Sequence, residues 1–103
     1  MQKLTDFQKR VYNIVREIPK GKVSTYKEIA KKLGNIYFSR AVGNALNKNR
    51  DFKKIPCYRV VKSNGEIGGY FFGQSEKTKL LRKEGIKIKN GKILDFDRLL
   101  FKF

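Results

Sequence analysis

Apolar positions recur with a helical period through the first half of the chain, and polar residues punctuate each run. Phe7, Val11, Ile14, Val15 and Ile18 share one face, which predicts an amphipathic helix from about Asp6 to Ile18. Thr5 and Gln8 form a capping box at its start, and Pro19 with Gly21 ends it. Lys20 to Ser24 reads as a short extended or turn segment. A second capping box, Thr25 with Glu28, opens a helix whose Tyr26, Ile29, Ala30 and Leu33 fall on one face, with Gly34 as its stop. A third helix is predicted from near Ser39 to about Lys48, with Val42, Ala45 and Leu46 inward and Arg40, Gly43, Asn44 and Asn47 outward. Two short helices joined by a glycine-containing turn, the second with a small, polar, basic outer face, read as a helix-turn-helix, a pattern shared with unrelated helical pairs.

The second half is punctuated by turns. Arg59-Val60-Val61-Lys62 and Glu66-Ile67 flank Ser63-Asn64-Gly65, which predicts a short hairpin, the wing of a winged helix, with Gly68 and Gly69 ending its second arm. A fourth helix, capped by Ser75, is expected to run to about Glu84 with Leu80 and Leu81 buried and Gly85 as stop. Asn90-Gly91 between Ile86-Lys87-Ile88-Lys89 and Lys92-Ile93-Leu94 is a two-residue hairpin signal. The tail Asp95 to Phe103 has five large apolar residues in nine positions, which are expected to pack on the domain. No internal repeat, low-complexity tract or linker interrupts the pattern, so residues 1–103 are read as one domain, mostly α with short β-hairpins.

Composition narrows the class. A chain of 103 residues with 40% hydrophobic and 13% aromatic residues supports a single modest core without metals or disulfides. Twenty-five basic residues against nine acidic ones give a net charge of +16 and a pI near 10.2, which points to a polyanionic partner. Nucleic acid is favoured over an anionic membrane, because the cations are spread among several elements and no long basic amphipathic helix or lipidation signal appears. A lysine-rich surface arising from genome bias or heat adaptation is the alternative. The N-terminus turns polar at once, with no signal peptide, and no apolar run nears the roughly 18 residues that span a bilayer. The expectation is a protein of the reducing cytoplasm, with no membrane association.

With no histidine and one cysteine, zinc sites of the usual ligand types and Ser-His-Asp or Cys-His arrangements are excluded. Cys57 has no intramolecular disulfide partner, so its use is packing or reactivity. Its setting, Ile55-Pro56-Cys57-Tyr58-Arg59-Val60-Val61, carries the thiol on a stiff turn, because Pro56 fixes its own φ and biases Ile55 toward extended backbone. Arg59 and nearby lysines supply a positive potential that favours thiolate, the nucleophilic form.

The segment Pro56-Cys57 with Arg59-Val60 resembles the Pro-Cys-His-Arg-Val signature in the C-terminal catalytic domain of O6-alkylguanine-DNA alkyltransferases, which are suicide repair proteins. The resemblance covers roughly Phe7 to Gly85. It includes Gly21-Lys22-Val23-Ser24-Thr25-Tyr26, the helix Ser39 to Leu46, Asn49 eight positions before the cysteine, Ser63-Asn64-Gly65, Gly68 before Tyr70, and Glu84-Gly85. Several spaced motifs in one order are far more specific than any one of them.

The resemblance implies a winged helix-turn-helix domain that acts as a monomer, without cofactor, on double-stranded DNA containing O6-alkylguanine. Cys57 would accept the alkyl group as a thioether, and Tyr26 would lie against the flipped nucleotide and donate to the guanine ring. Arg40 would enter the duplex in place of the extruded base, with Ala41, Gly43, Asn44, Thr25 and Arg59 also facing DNA. Asn49 would hinge the recognition helix to the active-site turn. Pro56, Val60, Tyr70, Phe71 and Phe72 would form the alkyl pocket, and Glu84 would end a hydrogen-bond relay to the thiol. An alkylated guanine must leave the duplex to be reached, at a cost of a few kcal/mol, and a planar guanidinium offsets part of that cost by filling the gap.

This chain departs from the family pattern at several points. Tyr58 replaces the histidine, and a phenol with pKa near 10 is a poor base at neutral pH. The expectation is that its hydroxyl bridges Cys57, a water and Glu84. Arg50 stands where proline is usual, adding charge and loosening the turn, and Phe71 and Phe72 replace small residues, which is expected to narrow the pocket toward methyl groups or to block a free-base pseudosubstrate such as benzylguanine. The family's usual N-terminal domain is expected to be absent, with its apolar contact surface covered by the Leu99-Leu100-Phe101-Phe103 tail or by a partner. A lesion sensor that flips the base without reacting is the second reading; sensors of that type generally lack the cysteine. A winged-helix transcription regulator is the third.

Overall fold

Thr5 begins the first helix as the pattern predicts. Its hydroxyl accepts from the Gln8 N–H at 3.1 Å, and the Gln8 side chain accepts from the Thr5 N–H at 3.0 Å, so two donors at the helix start are satisfied reciprocally. The computed structural model describes residues 4–103, and in it α1 runs over Asp6–Val15. The last predicted turn tightens, because Glu17 and Ile18 N–H groups bond Ile14 and Val15 carbonyls across three residues instead of four. Ile18 is buried all the same, ahead of Pro19. Helix α2, Tyr26–Leu33, is capped by Thr25 and closed by Gly34 at φ +111°, a conformation that glycine adopts without penalty. A 3₁₀ turn over Ile36–Phe38 leads into α3, Ser39–Asn47. The three helices pack around Val11, Val15, Ile29 and Val42, and Cys57 and Val60 complete this first core cluster.

Strands β1, Ser24–Thr25, and β2, Val60–Val61, pair in parallel with Ser24 opposite Val60. This corrects the predicted wing. The Ser63-Asn64-Gly65 turn forms, with Lys62 N–H bonded to the Glu66 carbonyl, but Ile67 N–H bonds Gly91 and Glu66 bridges Lys92. Long-range pairing wins because Val60 and Val61 are fully buried, and an isolated hairpin cannot cover both of their faces.

Helix α4, Gln74–Lys83, starts two residues earlier than expected, on Gly73, and has no side-chain cap. Ser75 is therefore inside the first turn and is not the cap, since Gly73 at φ +96° takes the non-helical position. The helix buries Lys77 and Leu81, while Leu80 is half-buried. The Asn-Gly hairpin forms as predicted from β3, Ile88–Lys89, and β4, Lys92–Ile93, with both turn residues at positive φ. After a short α5, Phe96–Leu99, the tail runs beside Val23: Phe101 N–H bonds the Val23 carbonyl and the Ser24 hydroxyl bonds the Phe101 carbonyl. Phe101 and Phe103 pack on the first cluster, while Leu99 joins a second formed with Val23, Tyr58, Val61, Ile67, Leu81, Ile86 and Ile93. The architecture is mostly helical with small strand pairs and contains the predicted helix-turn-helix. No helix among the described residues is long and apolar enough to cross a membrane.

Candidate active site

The cysteine turn is built from two tight closures. Pro56 sits at φ −76°, ψ 64°, and Cys57 N–H bonds the Ile55 carbonyl at 2.7 Å, an inverse γ-turn. Cys57–Arg59 then forms one 3₁₀ turn, which sends neighbouring side chains to different sides: Cys57 into the first core cluster, Tyr58 into the second. Asn49 locks the turn to the end of α3. Its buried amide donates to the Ile55 carbonyl at 3.0 Å and to Cys57 Sγ at 3.2 Å, and its Oδ1 accepts from Asp51 N–H at 3.1 Å.

Cys57 lines a pocket of about 240 Å³ together with Tyr26, Gly43, Asn44, Leu46, Asn47, Gly69, Tyr70 and Phe71. A larger concavity of about 700 Å³ lies between α4 and the Asn-Gly hairpin, away from the thiol. Gly68 beside the pocket takes φ +77°, a backbone conformation that glycine adopts without strain, and lies close to the Tyr26 hydroxyl. The Tyr70 hydroxyl is buried without a hydrogen-bond partner among the described residues. Arg50 donates to the Asn47 carbonyl at 2.7 Å, and its guanidinium stacks 3.2 Å from the Phe71 ring centroid, so its charge is held at the pocket rim.

Lys77, which sequence reasoning missed, is 1% exposed. Its Nζ donates to the Val60 carbonyl at 2.7 Å and the Gly69 carbonyl at 3.1 Å, tying the cysteine turn to the pocket loop. The signal was present, because Lys77, Leu80, Leu81 and Glu84 fall on one helical face. Burial pushes the Cys57 thiol up, and the Asn49 hydrogen bond and the Lys77 charge only partly oppose this. Burial likewise pulls Lys77 down to about 8, against the pull of a Cys57 thiolate.

Replacing Lys77 by methionine is expected to raise the thiol pKa further. Thiol alkylation at pH 7.5 should slow by about tenfold, since one pKa unit is tenfold in thiolate, and recover as the pH climbs past the raised thiol pKa. A pH profile identical to wild type would remove Lys77 from the electrostatics of the thiol. Linkage gives a second readout. Below pH 8 the folded state bears the full cost of a buried ammonium, so stability rises from about pH 8 as Lys77 loses its proton. Above about pH 9 the raised Cys57 pKa opposes that gain.

Glu84 collects the opposite side of the turn. It accepts from the Tyr58 hydroxyl at 2.6 Å, from Arg59 at 2.7–3.1 Å and from Gly21 N–H at 3.1 Å, while Arg59 also donates to the Ile18 carbonyl. Burial raises Glu84, but these donors outweigh it and hold the carboxyl below its usual range. Burial and then the Glu84 bond push Tyr58 up to about 12. The structure contains the Tyr58–Glu84 contact of the expected bridge, and Asn49 donates directly to the thiol.

Four further expectations change. Arg59 was expected on DNA and, with nearby lysines, as a source of the field on the thiol, but its side chain is committed to Glu84 and Ile18, and a lysine, Lys77, supplies that field. Thr25 is 3% exposed and caps α2, so it does not present its hydroxyl to a surface. Pro56 shapes the turn and Val60 is fully buried with its carbonyl taken by Lys77, so neither walls the pocket. Phe72 stacks behind Tyr70 and Phe71, outside the lining. Tyr26, Tyr70 and Phe71 are where the pocket was expected. Arg40, Ala41 and Asn44 are exposed on α3, and Arg40 makes no hydrogen bond or ion pair to the described residues.

Fold and site together define a helix-turn-helix domain built around a single pocketed thiol. Residues 6–86 match the family described as 6-O-methylguanine DNA methyltransferase, DNA binding domain. The chain is 43% identical over 96 residues to a bifunctional methyltransferase/endonuclease of Picrophilus torridus, covering 93% of this chain and 32% of the relative. It is 49% identical over 81 residues to a methylated-DNA–protein-cysteine methyltransferase of Methanosarcina acetivorans, covering 79% of this chain and 52% of the relative. Among solved structures, S. pombe Atl1 in complex with damaged DNA containing O6-carboxymethylguanine superposes with a TM-score of 0.85 at 32% identity, over 99% of this chain and 100% of that one. The chain belongs to the 6-O-methylguanine DNA methyltransferase family, in its DNA-binding domain. It spans about a third to a half of the length of these curated relatives.

Proposed function

We propose that this domain repairs DNA by taking the alkyl group of O6-alkylguanine irreversibly onto Cys57. The observation that carries this reading is the thiol held by Asn49 on the wall of a 240 Å³ pocket beside the exposed face of α3. Arg40, extended from that face, fills the duplex when the damaged nucleotide turns out, and Tyr26, Tyr70 and Phe71 receive the base. The Cys57 thiolate attacks the alkyl carbon, the S–C bond forms as the C–O6 bond breaks, and the electron pair passes to the guanine ring. Tyr26 keeps its proton, since burial raises its pKa, and donates to the departing ring. The thiol proton leaves to solvent. A thioether is not reversed, so each molecule acts once and needs no cofactor, and a reducing cytoplasm preserves the thiol beforehand.

Incubation with a duplex carrying one O6-methylguanine is expected to add one methyl mass to the intact protein, mapped to the peptide containing Cys57. A methyl group on any other residue, or none at all, rejects the reading. A second reading is lesion recognition without transfer; the end-to-end match to Atl1, solved in complex with damaged DNA, supports its binding step. Lesion-dependent binding with no gain in mass would establish that alternative.

A further inference from the structure

Three concavities join into one path leading away from the thiol. The Cys57 pocket shares Gly69 with a hollow lined by Lys62, Glu66 and Lys92, and this hollow shares Gln74 and Gly91 with the 700 Å³ groove between α4 and the Asn-Gly hairpin. That groove is lined by Lys79, Arg82 and Lys83, with Ser75 and Thr78 as neutral hydrogen-bonding groups. The path thus carries Lys62, Lys92, Lys79, Arg82 and Lys83. Its acids are Glu66 and the nearby Glu76, which meet Lys62 and Lys79 at 3.8 and 4.0 Å, solvent-exposed contacts of little strength. Lys87 extends the cationic stripe past Arg82. None of this surface is needed to hold a flipped base.

We infer that this path is a second nucleic-acid contact, a track for the phosphate backbone of the duplex arm running from the lesion toward α4 and the hairpin. The inference rests on the proposed repair reading for the identity of the polyanion. Continuity with the pocket and the unbalanced positive charge support it, and serine, threonine and glutamine beside lysines suit phosphate contact without base readout. The molecule is 36 Å in its longest dimension, which bounds the reach of the track to about ten base pairs.

The test is a triple variant, Lys79→Ser, Lys83→Ser and Lys92→Ser. Arg82 is spared because it donates to the Ile88 carbonyl and braces the hairpin. Binding is measured by anisotropy against salt on two lesion duplexes, one too short to reach α4 and one extended along it. On the long duplex the slope of log K against log salt should fall by about 2.7, at 0.9 per lost phosphate contact, and affinity at 0.15 M salt should drop at least tenfold. On the short duplex both proteins should bind alike and transfer methyl at the same saturated rate. Arginine at the same three positions should restore the long-duplex slope. Equal slopes for variant and wild type overturn the track, as does a loss confined to anionic lipid vesicles. Methyl transfer on the short duplex reports the repair reading separately, since its failure beside an intact slope difference would reject the chemistry and keep the track.

Discussion

Cys57→Ser is expected to bind a lesion duplex within about twofold of wild type and to transfer no detectable methyl. A hydroxyl in this place can still accept the Asn49 amide, and the substitution adds no bulk, so the turn from Asn49 to Arg59 should stand. The reaction depends on thiolate, and a serine hydroxyl supplies no comparable anion without an adjacent base. The chain has no histidine, Glu84 is enclosed by Arg59, Tyr58 and Gly21 on the far side of the turn, and Lys77 donates its protons to the Val60 and Gly69 carbonyls. Intact-protein mass after prolonged incubation checks this. Residual transfer by the variant would place the acceptor elsewhere and disconnect the pocket from the chemistry.

Glu84→Ala should produce the largest loss of stability, about 3–5 kcal/mol, because it leaves a buried guanidinium without its counter-charge. The side chains of Arg59 and Glu84 are only 14% and 6% exposed, so water replaces little of what is lost. Two more donors, the Gly21 N–H and the Tyr58 hydroxyl, lose their acceptor at once. At about 4–8 °C per kcal/mol for a domain of this size, the melting temperature should fall by roughly 20 °C. Tyr58→Phe removes one charged hydrogen bond and should cost less, about 1.5–3 kcal/mol.

The pH dependence follows from the same site. The folded carboxyl sits below its ordinary range, so its stabilisation is present above the unfolded pKa and is lost as pH falls through the folded one. Glu84→Gln should therefore show a shallower acid limb than wild type in denaturant titrations. A loss under about 1 kcal/mol for Glu84→Ala, with an unchanged acid limb, would demote the pair to a surface contact.

Much of this was legible along the chain, for local reasons. The Thr5 and Thr25 caps, the Gly34 stop and the Asn-Gly hairpin depend on residues within one turn of each other, and each formed where it was expected. The bond from Asn49 to Cys57 Sγ, eight positions away, was expected only from the family resemblance, since Asn49 by itself reads as a loop or cap residue. The difficulties arose where a side chain had a choice of distant partners. Arg59 reads as a free cation until Glu84, 25 positions later, closes on it. Lys77 reads as one more surface lysine in a chain with 25 basic residues, although its helical face was a warning.

The amino-acid sequence by itself determined the helical pair, the stiff Pro56-Cys57 turn, the excess of positive charge and the lone thiol, because propensity, capping and composition act locally or additively. Tertiary structure decided the rest. It paired Val60–Val61 with Ser24–Thr25 in place of the neighbouring arm, since fully buried valines need cover on both faces. It also turned Tyr58 away from the thiol toward Glu84 and brought Lys77 in to tie the pocket, since a buried charge is tolerated only where the fold supplies its partners.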